Sequence, residues 1–283
     1  MLSYRHSFHA GNFADVHKHL TLVVLIEAFK RKEKPFCYID THSGAGFYNL
    51  NDKTAMKNQE FKEGILRLVE KQNGTTDNHV EKYLTLVKRL NTSASIQNYP
   101  GSPGIASALL REHDRLILTE LHSNEFPLLK KNFLKDKRVA IHNQNGYHSL
   151  KAFIPPKEKR GLVLIDPSYE MGDEYERVAK ETINAYRKWP TGCYAIWYPV
   201  LLRSHIDALE QIFIDSGIKK ILVSELCLHG DDVPRRLNGS GMLIINPPWQ
   251  CDETLKKVQP WLLKVLQQRD IGFQRVEWLR EEV

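Results

Sequence analysis

The sequence predicts a doubly wound α/β sheet carrying a small helical insertion, and three observations support that expectation. Seven short apolar runs recur along the 283 residues, most of them separated by helical patterns. The runs are nearly continuous instead of alternating, which is how strands covered on both faces of a parallel sheet read. The first run ends in an acid and a glycine turn, Asp40-Thr41-His42-Ser43-Gly44-Ala45-Gly46. Such a turn brings backbone close to a ligand at the carboxyl edge of the sheet.

Taken in order, the strands are expected at 35–40, 115–121, 139–142, 161–166, 193–198, 220–226 and 241–246. Helices are expected at 16–30, 102–112, 123–133, 173–188, 201–215 and 253–267, with Pro260 kinking or splitting the last. The interval from Gly46 to Arg115 is far longer than a crossover requires. Within it, 61–71 and 79–90 carry amphipathic spacing and are joined by the polar stretch 72–77. The expectation is therefore one domain over 1–283, with a helical insertion subdomain at about 50–98.

Hydrophobic residues at 42% and charged residues at 26% lie in the range of a folded chain and exclude a disordered or fibrous one. No apolar run approaches the roughly 18–20 residues needed to cross a bilayer, and the first six residues lack the apolar stretch of a signal peptide. A cytoplasmic protein without a membrane partner is expected. The four cysteines stand far apart without a C-x-x-C pair, so neither a disulfide framework nor a zinc site is expected. Four of the twelve histidines, His6, His9, His17 and His19, fall in the first nineteen residues. His17 and His19 would leave a helix on different faces, and no acidic ligand cluster accompanies them, so no metal is expected. A segment folding over the site, its neutral or partly protonated imidazoles joined by Arg5 and Lys18 in meeting carboxylate and phosphate groups, accounts for them better. The net charge of +6 is compatible with a polyanionic partner. The run Lys30-Arg31-Lys32-Glu33-Lys34 reads as a solvated helix end before it reads as a phosphate contact.

Candidate site residues fall at the strand ends. Glu120 closes the second strand, where a carboxylate accepts from ribose hydroxyls; the competing reading is a cap for the helix that follows. Asn143-Gln144-Asn145-Gly146 after the third strand can meet an adenine edge or simply make a turn. The fourth strand delivers Asp166-Pro167-Ser168-Tyr169. An aromatic amine is a poor nucleophile because its lone pair is delocalised into the ring. If the Asp166 carboxylate and the Pro167 carbonyl accept its hydrogens, the nitrogen is driven toward a tetrahedral, more nucleophilic state. Tyr169 can stack on the base and orient it. The competing reading is an Asp-Pro turn with a packed tyrosine.

D-P-P-Y at this place marks amino methyltransferases, and the chain resembles that class with Ser168 in place of the second proline. It resembles more closely the RlmJ-type 23S ribosomal RNA adenine-N6 methyltransferases. The resemblance rests on Ser3-Tyr4-Arg5-His6-Ser7-Phe8-His9-Ala10-Gly11-Asn12, Ala14-Asp15, Lys18-His19, Asp40-Thr41-His42, Tyr99-Pro100-Gly101-Ser102-Pro103, Leu118-Thr119-Glu120-Leu121-His122, Trp197-Tyr198-Pro199 and Gly241-Met242 to Asn246-Pro247-Pro248-Trp249.

The resemblance implies a Rossmann-like seven-stranded fold with a helical insertion, S-adenosyl-L-methionine as cofactor and 23S ribosomal RNA as substrate. His19, His42, Ser102, Glu120, Asn145 and Gly146 would contact the cofactor, supported by Lys18, Asp40 and Gly44. Asp166 would be catalytic, with Pro167 and Tyr169 beside it, and Tyr4 would touch the RNA with Arg5 and His6. No obligate protein partner is implied. Two departures bear on rate and affinity: Ser168 is less rigid than proline, and Asn145 stands where the family carries an aspartate. D-P-x-Y chemistry does not itself tell RNA from DNA, so a DNA adenine methylase stays open, as does a cofactor- and RNA-binding assembly factor without turnover.

Overall fold

Asn12 opens the first helix by accepting from Asp15 N at 2.9 Å, and that helix, α1 (Phe13–Lys30), is buried around nearly its whole circumference. The computed structural model describes residues 5–72, 77–92, 95–230, 236–269 and 271–281. After α1 come β1 (Cys37–Asp40), β2 (Phe47–Asn49), α2 (Lys53–Asn58), α3 (Ile65–Glu70), α4 (Asn78–Arg89), β3 (Asn98–Pro100), α5 (Ser102–Leu109), β4 (Arg115–Thr119) and α6 (Glu125–Phe133). The second half supplies β5 (Val139–His142), α7 (Gly146–Ala152), β6 (Gly161–Ile165), α8 (Glu174–Lys188), β7 (Cys193–Val200), α9 (Arg203–Asp215), β8 (Ile221–Cys227), β9 (Gly239–Ile245), α10 (Cys251–Leu266) and β10 (Phe273–Arg280).

Eight strands form the central sheet in the order β10-β8-β9-β7-β6-β1-β4-β5. β7, β6, β1, β4 and β5 run parallel, with Ile39 aligned to Ile117 on one side and Val163 on the other. Alternate residues of these strands feed two cores. Tyr38, Leu116, Leu118, Leu162 and Leu164 face one core with α1, α5 and α10, whereas Cys37, Ile39, Val163 and Ile165 face the other with α7, α8 and α9. Strand order reverses at β1, so the carboxyl ends of β6, β1, β4 and β5 frame the crevice where such sheets bind ligands.

The expected α/β sheet is present, with β7, β6, β1, β4 and β5 as its parallel part and one strand more than the seven expected. β9 runs antiparallel to both β7 and β8, and β10 is an eighth strand, antiparallel to β8. Continuous apolar runs report burial on both faces and not direction: every residue of β8 and β9 is buried although their pairing is antiparallel. β10 escaped notice because FQRVEWLR is a half-buried edge strand rich in charge. Its Arg275 donates to the buried Glu225 of β8 through Nε at 2.9 Å. β2 and β3 form a separate two-stranded sheet that brackets α2, α3 and α4.

The single helix expected at 61–71 is broken into a 3-10 turn at Glu60–Lys62 and α3, because Gly64 must lie against the N-terminal segment. A Cβ there would fall 2.1 Å from Gly11 O. Pro260 does not split α10, which runs unbroken from Cys251 to Leu266. Proline costs one backbone hydrogen bond, and the buried Leu255, Val258, Leu262 and Leu266 hold the helix on the sheet across it. All four cysteines are buried, and none is in a disulfide. No helix of the described residues is long and apolar enough to cross a membrane.

Candidate active site

The site is assembled from four neighbouring strand ends and the first turns of α1, α5, α7 and α8. Beyond β1, the glycine turn is stitched to β4: Ser43 N donates to Thr119 O at 2.9 Å, and Gly44 N donates to Glu120 Oε2 at 2.7 Å. Glu120 Oε1 accepts from His122 N at 2.6 Å. The carboxylate therefore does not cap α6, whose N-cap residue is Asn124. Burial raises the pKa of Glu120 above its ordinary value, and the backbone donors temper that rise.

Gly44 and Gly146 leave room that a side chain would fill. Gly44 has φ +58, and a Cβ would meet the Tyr48 hydroxyl at 2.1 Å. A Cβ on Gly146 would fall 2.2 Å from Thr41 O and 2.8 Å from the His42 ring. Asn145 caps α7, its Oδ1 accepting from Tyr147 N at 2.9 Å. Its amide thus serves the helix start, with one lone pair left for a ligand.

Asp40 lies beneath this surface and does not line the cavity. It is completely buried and accepts from Tyr38 Oη at 2.8 Å, Ser102 Oγ at 2.7 Å and His42 N at 3.3 Å. Burial pushes its pKa up to about 6, against the pull of the Ser102 and Tyr38 hydroxyls.

α1 brings its first turns to the same place. Lys18 Nζ donates to Asp166 Oδ2 at 2.6 Å and to Asp15 Oδ1 at 2.9 Å, and lies 5.4 Å from the centre of the Trp197 ring. Asp15 also accepts from Gly11 N and stands 2.9 Å from His6 Nε2. Burial works against its charge, but His6 and then Lys18 more than offset this and hold its pKa well below the usual carboxylate range. Burial lowers His17 and His19 to about 3 and His42 to about 4, so these imidazoles are neutral at physiological pH. Of the neutral or partly protonated imidazoles expected of the N-terminal segment, His17 and His19 take the neutral form. His17 packs away from the site, between Ser240 Oγ at 2.9 Å and Ser224 Oγ at 3.1 Å. His19 contacts the Tyr99 hydroxyl at 2.7 Å.

Two cavities adjoin here. The first is lined by Lys18, His19, His42, Gly44, Ser102, Glu120, Asn145, Gly146, Asp166 and Pro167. The second is lined by His6, His9, Asn12, Asp15, Tyr169, Trp197 and Pro199, and His6, Lys18, Asp166 and Ser168 face both. Tyr169 sits at φ +51, its hydroxyl donating to Trp197 O at 2.7 Å, and its ring packs against those of Tyr175 and Trp197. Arg5 is exposed and lines neither cavity, and Tyr4 lies outside the described residues. The described residues contain no group of three or more potential metal ligands.

Sequence reasoning missed several lining residues. Arg177, on the first turn of α8, places its guanidinium 4.6 Å from the Tyr147 ring at the rim of the first cavity. Only the tertiary fold brings it there. Asn12 and Asp15 did leave a signal, since a polar cap followed three residues later by an acid marks a helix start.

The chemistry of this donor set suits one nucleoside cofactor: a carboxylate at the end of β4 for vicinal hydroxyls, glycine backbone beside it, and an acid at the end of β6 against a second cavity. Fold and site together define an S-adenosylmethionine-dependent methyltransferase. Residues 33–280 match the family described as Ribosomal RNA large subunit methyltransferase D, RlmJ. The chain is 46% identical to Ribosomal RNA large subunit methyltransferase J of Haemophilus influenzae and 45% identical to that of Escherichia coli, with both chains covered completely in each case. A crystal structure of a Legionella pneumophila protein, 36% identical, superposes with a TM-score of 0.88 over 95% of this chain and 98% of that one. The chain belongs to the RlmJ family, and its cofactor is S-adenosylmethionine.

Proposed function

We propose that this enzyme methylates the N6 amine of an adenine in 23S ribosomal RNA, with the cofactor in the first cavity and the target base in the second. The observation that carries the reading is the position of Asp166, which faces both cavities while Lys18 fixes one of its oxygens at 2.6 Å. The relatives named as large-subunit RNA methyltransferases support the substrate class.

In this reading Glu120 accepts from the ribose, His19, His42 and Ser102 line the rest of the cofactor with Lys18 and Gly44, and Asn145-Gly146 meet its adenine. Asp40 acts from beneath by holding Ser102 and the His42 amide. When bound, S-adenosylmethionine supplies a methyl group on a sulfonium. The Lys18 ammonium leaves Asp166 Oδ1 to accept one amine hydrogen, and the Pro167 carbonyl accepts the other, concentrating the lone pair on the attacking nitrogen. Tyr169 and Trp197 form the aromatic wall against which the base is oriented. Ser168 keeps the backbone acceptors in place. The N-terminal residues Tyr4, Arg5 and His6 meet the RNA, which must present an extruded base. The cytoplasm, where ribosomal RNA is assembled, is the place of action, and the chain works alone.

The test is transfer of labelled methyl from S-adenosylmethionine to 23S RNA taken from cells lacking the enzyme, with 16S RNA and duplex DNA as parallel substrates and nucleoside analysis of the product. N6-methyladenosine confined to 23S RNA is expected. Label in duplex DNA, or in another nucleoside, overturns the assignment.

A further inference from the structure

The inserted helices α2, α3 and α4 line neither cavity, yet the segment that carries them is fastened at several points to the N-terminal segment. Glu60, on the 3-10 turn before α3, carries the principal contacts. Its two carboxylate oxygens each lie 3.0 Å from His9 Nδ1, and Oε2 accepts from Asn12 Nδ2 at 2.9 Å. Burial works against a charged His9, but the hydrogen bond and the charge of Glu60, with Asp15 behind it, raise the His9 pKa above its ordinary value. The backbone contacts agree. Ile65 N donates to Gly11 O at 2.8 Å, Gly64 leaves no space for a Cβ against Gly11 and Asn12, and Lys57 Nζ lies 5.9 Å from the centre of the Phe8 ring.

The residues so held are those that wall the second cavity. His6, His9 and Asn12 line it, whereas Glu60 lines neither cavity. Asn12 also caps α1 with the oxygen of the same amide whose nitrogen Glu60 binds. The orientation of that amide therefore ties the wall of the second cavity to the start of α1.

We propose that the helical insertion is the anchor of the base-binding wall, and that Glu60 is a positioning residue for RNA recognition that acts through His9 and Asn12. The inference rests on reading the second cavity as the target-base pocket. It assigns the insertion a purpose separable from cofactor binding: without the anchor, the wall formed by residues 6–12 loses its register while the glycine turn, Glu120 and Asn145-Gly146 stay in place.

The test compares full-length parent, Glu60→Gln, Glu60→Ala, His9→Ala and the Glu60→Ala/His9→Ala double variant. The readouts are the KM and kcat for 23S RNA, the Kd for S-adenosylhomocysteine and the melting temperature. Glu60→Ala should raise the RNA KM about tenfold, the equivalent of one lost charge-assisted contact, with the Kd for S-adenosylhomocysteine unchanged. Glu60→Gln, which still accepts from Asn12, should fall between, and it serves where the alanine variant folds poorly. The double variant should be no worse than Glu60→Ala alone. An unchanged RNA KM in Glu60→Gln and Glu60→Ala, a matching loss of S-adenosylhomocysteine affinity, or additive losses in the double variant would overturn the proposal. If the parent itself transfers methyl to no RNA, the reading of the second cavity falls first and takes this one with it.

Discussion

Lys18 Nζ stands 2.6 Å from Asp166 Oδ2 and 2.9 Å from Asp15 Oδ1, so one buried ammonium joins the start of α1 to the end of β6. The two carboxylates are thereby held within reach of one another, and removing the ammonium leaves like charges without their partner. Lys18→Met should lower kcat by about 100-fold, on the order of 3 kcal/mol, with a smaller change in the Kd for S-adenosylhomocysteine. Steady-state kinetics beside calorimetric binding separate the two effects, and an unchanged kcat rejects the role.

Glu120 presents its carboxylate at the cavity while both oxygens accept backbone donors. In the proposed binding mode, Glu120→Ala removes the acceptor for the ribose and frees the glycine turn. The Kd for S-adenosylhomocysteine should rise about 10- to 100-fold, and the same loss should appear with 5′-methylthioadenosine, which carries the ribose but no amino acid. Loss confined to S-adenosylhomocysteine would move Glu120 to the other end of the cofactor.

Gly146 lies under the His42 ring, with Thr41 O 2.2 Å from where a Cβ would stand. Backbone at that distance cannot yield cheaply. Gly146→Ala should lower the melting temperature and weaken cofactor binding together, measured by thermal unfolding with and without S-adenosylhomocysteine. A variant as stable as the parent, with parental affinity, would show that the α7 start tolerates a shift the structure does not allow.

Asp40 gives a pH dependence of definite sign. Its folded pKa, about 6, exceeds the unfolded value near 3.8, so the folded state holds the proton longer. Between those values the folded state binds more protons than the unfolded one, and stability falls as pH rises through that window. Relative to Asp40→Asn, the parent should lose on the order of 3 kcal/mol from pH 4 to pH 7. Denaturant unfolding of both proteins across that range measures it, and a constant difference contradicts the buried charge.

The layers of the fold were legible because burial on both faces writes itself as continuous apolar runs, as in GLVLID at 161–166. What such runs leave unwritten is direction, so the antiparallel β9 could not be told from its parallel neighbours. β10, with arginines at 275 and 280 and one half-buried face, carries too weak a pattern to announce a strand. At the site, Glu120 and Asp166 were readable since each directly follows a strand, and Gly44 since it lies in the glycine turn after one. Arg177 and Glu60 were not, because a helix turn and an inserted loop reach the cavity walls only through contacts made at long range in the chain.

The central claim is that Asp166, between the two cavities, accepts a hydrogen of the attacking amine. Asp166→Asn keeps the shape and removes the charged acceptor, so single-turnover methyl transfer to 23S RNA, with S-adenosylhomocysteine affinity measured on the same preparation, addresses it most directly. The rate should fall about 1,000-fold, with the affinity within roughly threefold of the parent. A rate within tenfold of the parent at unchanged affinity would contradict the claim.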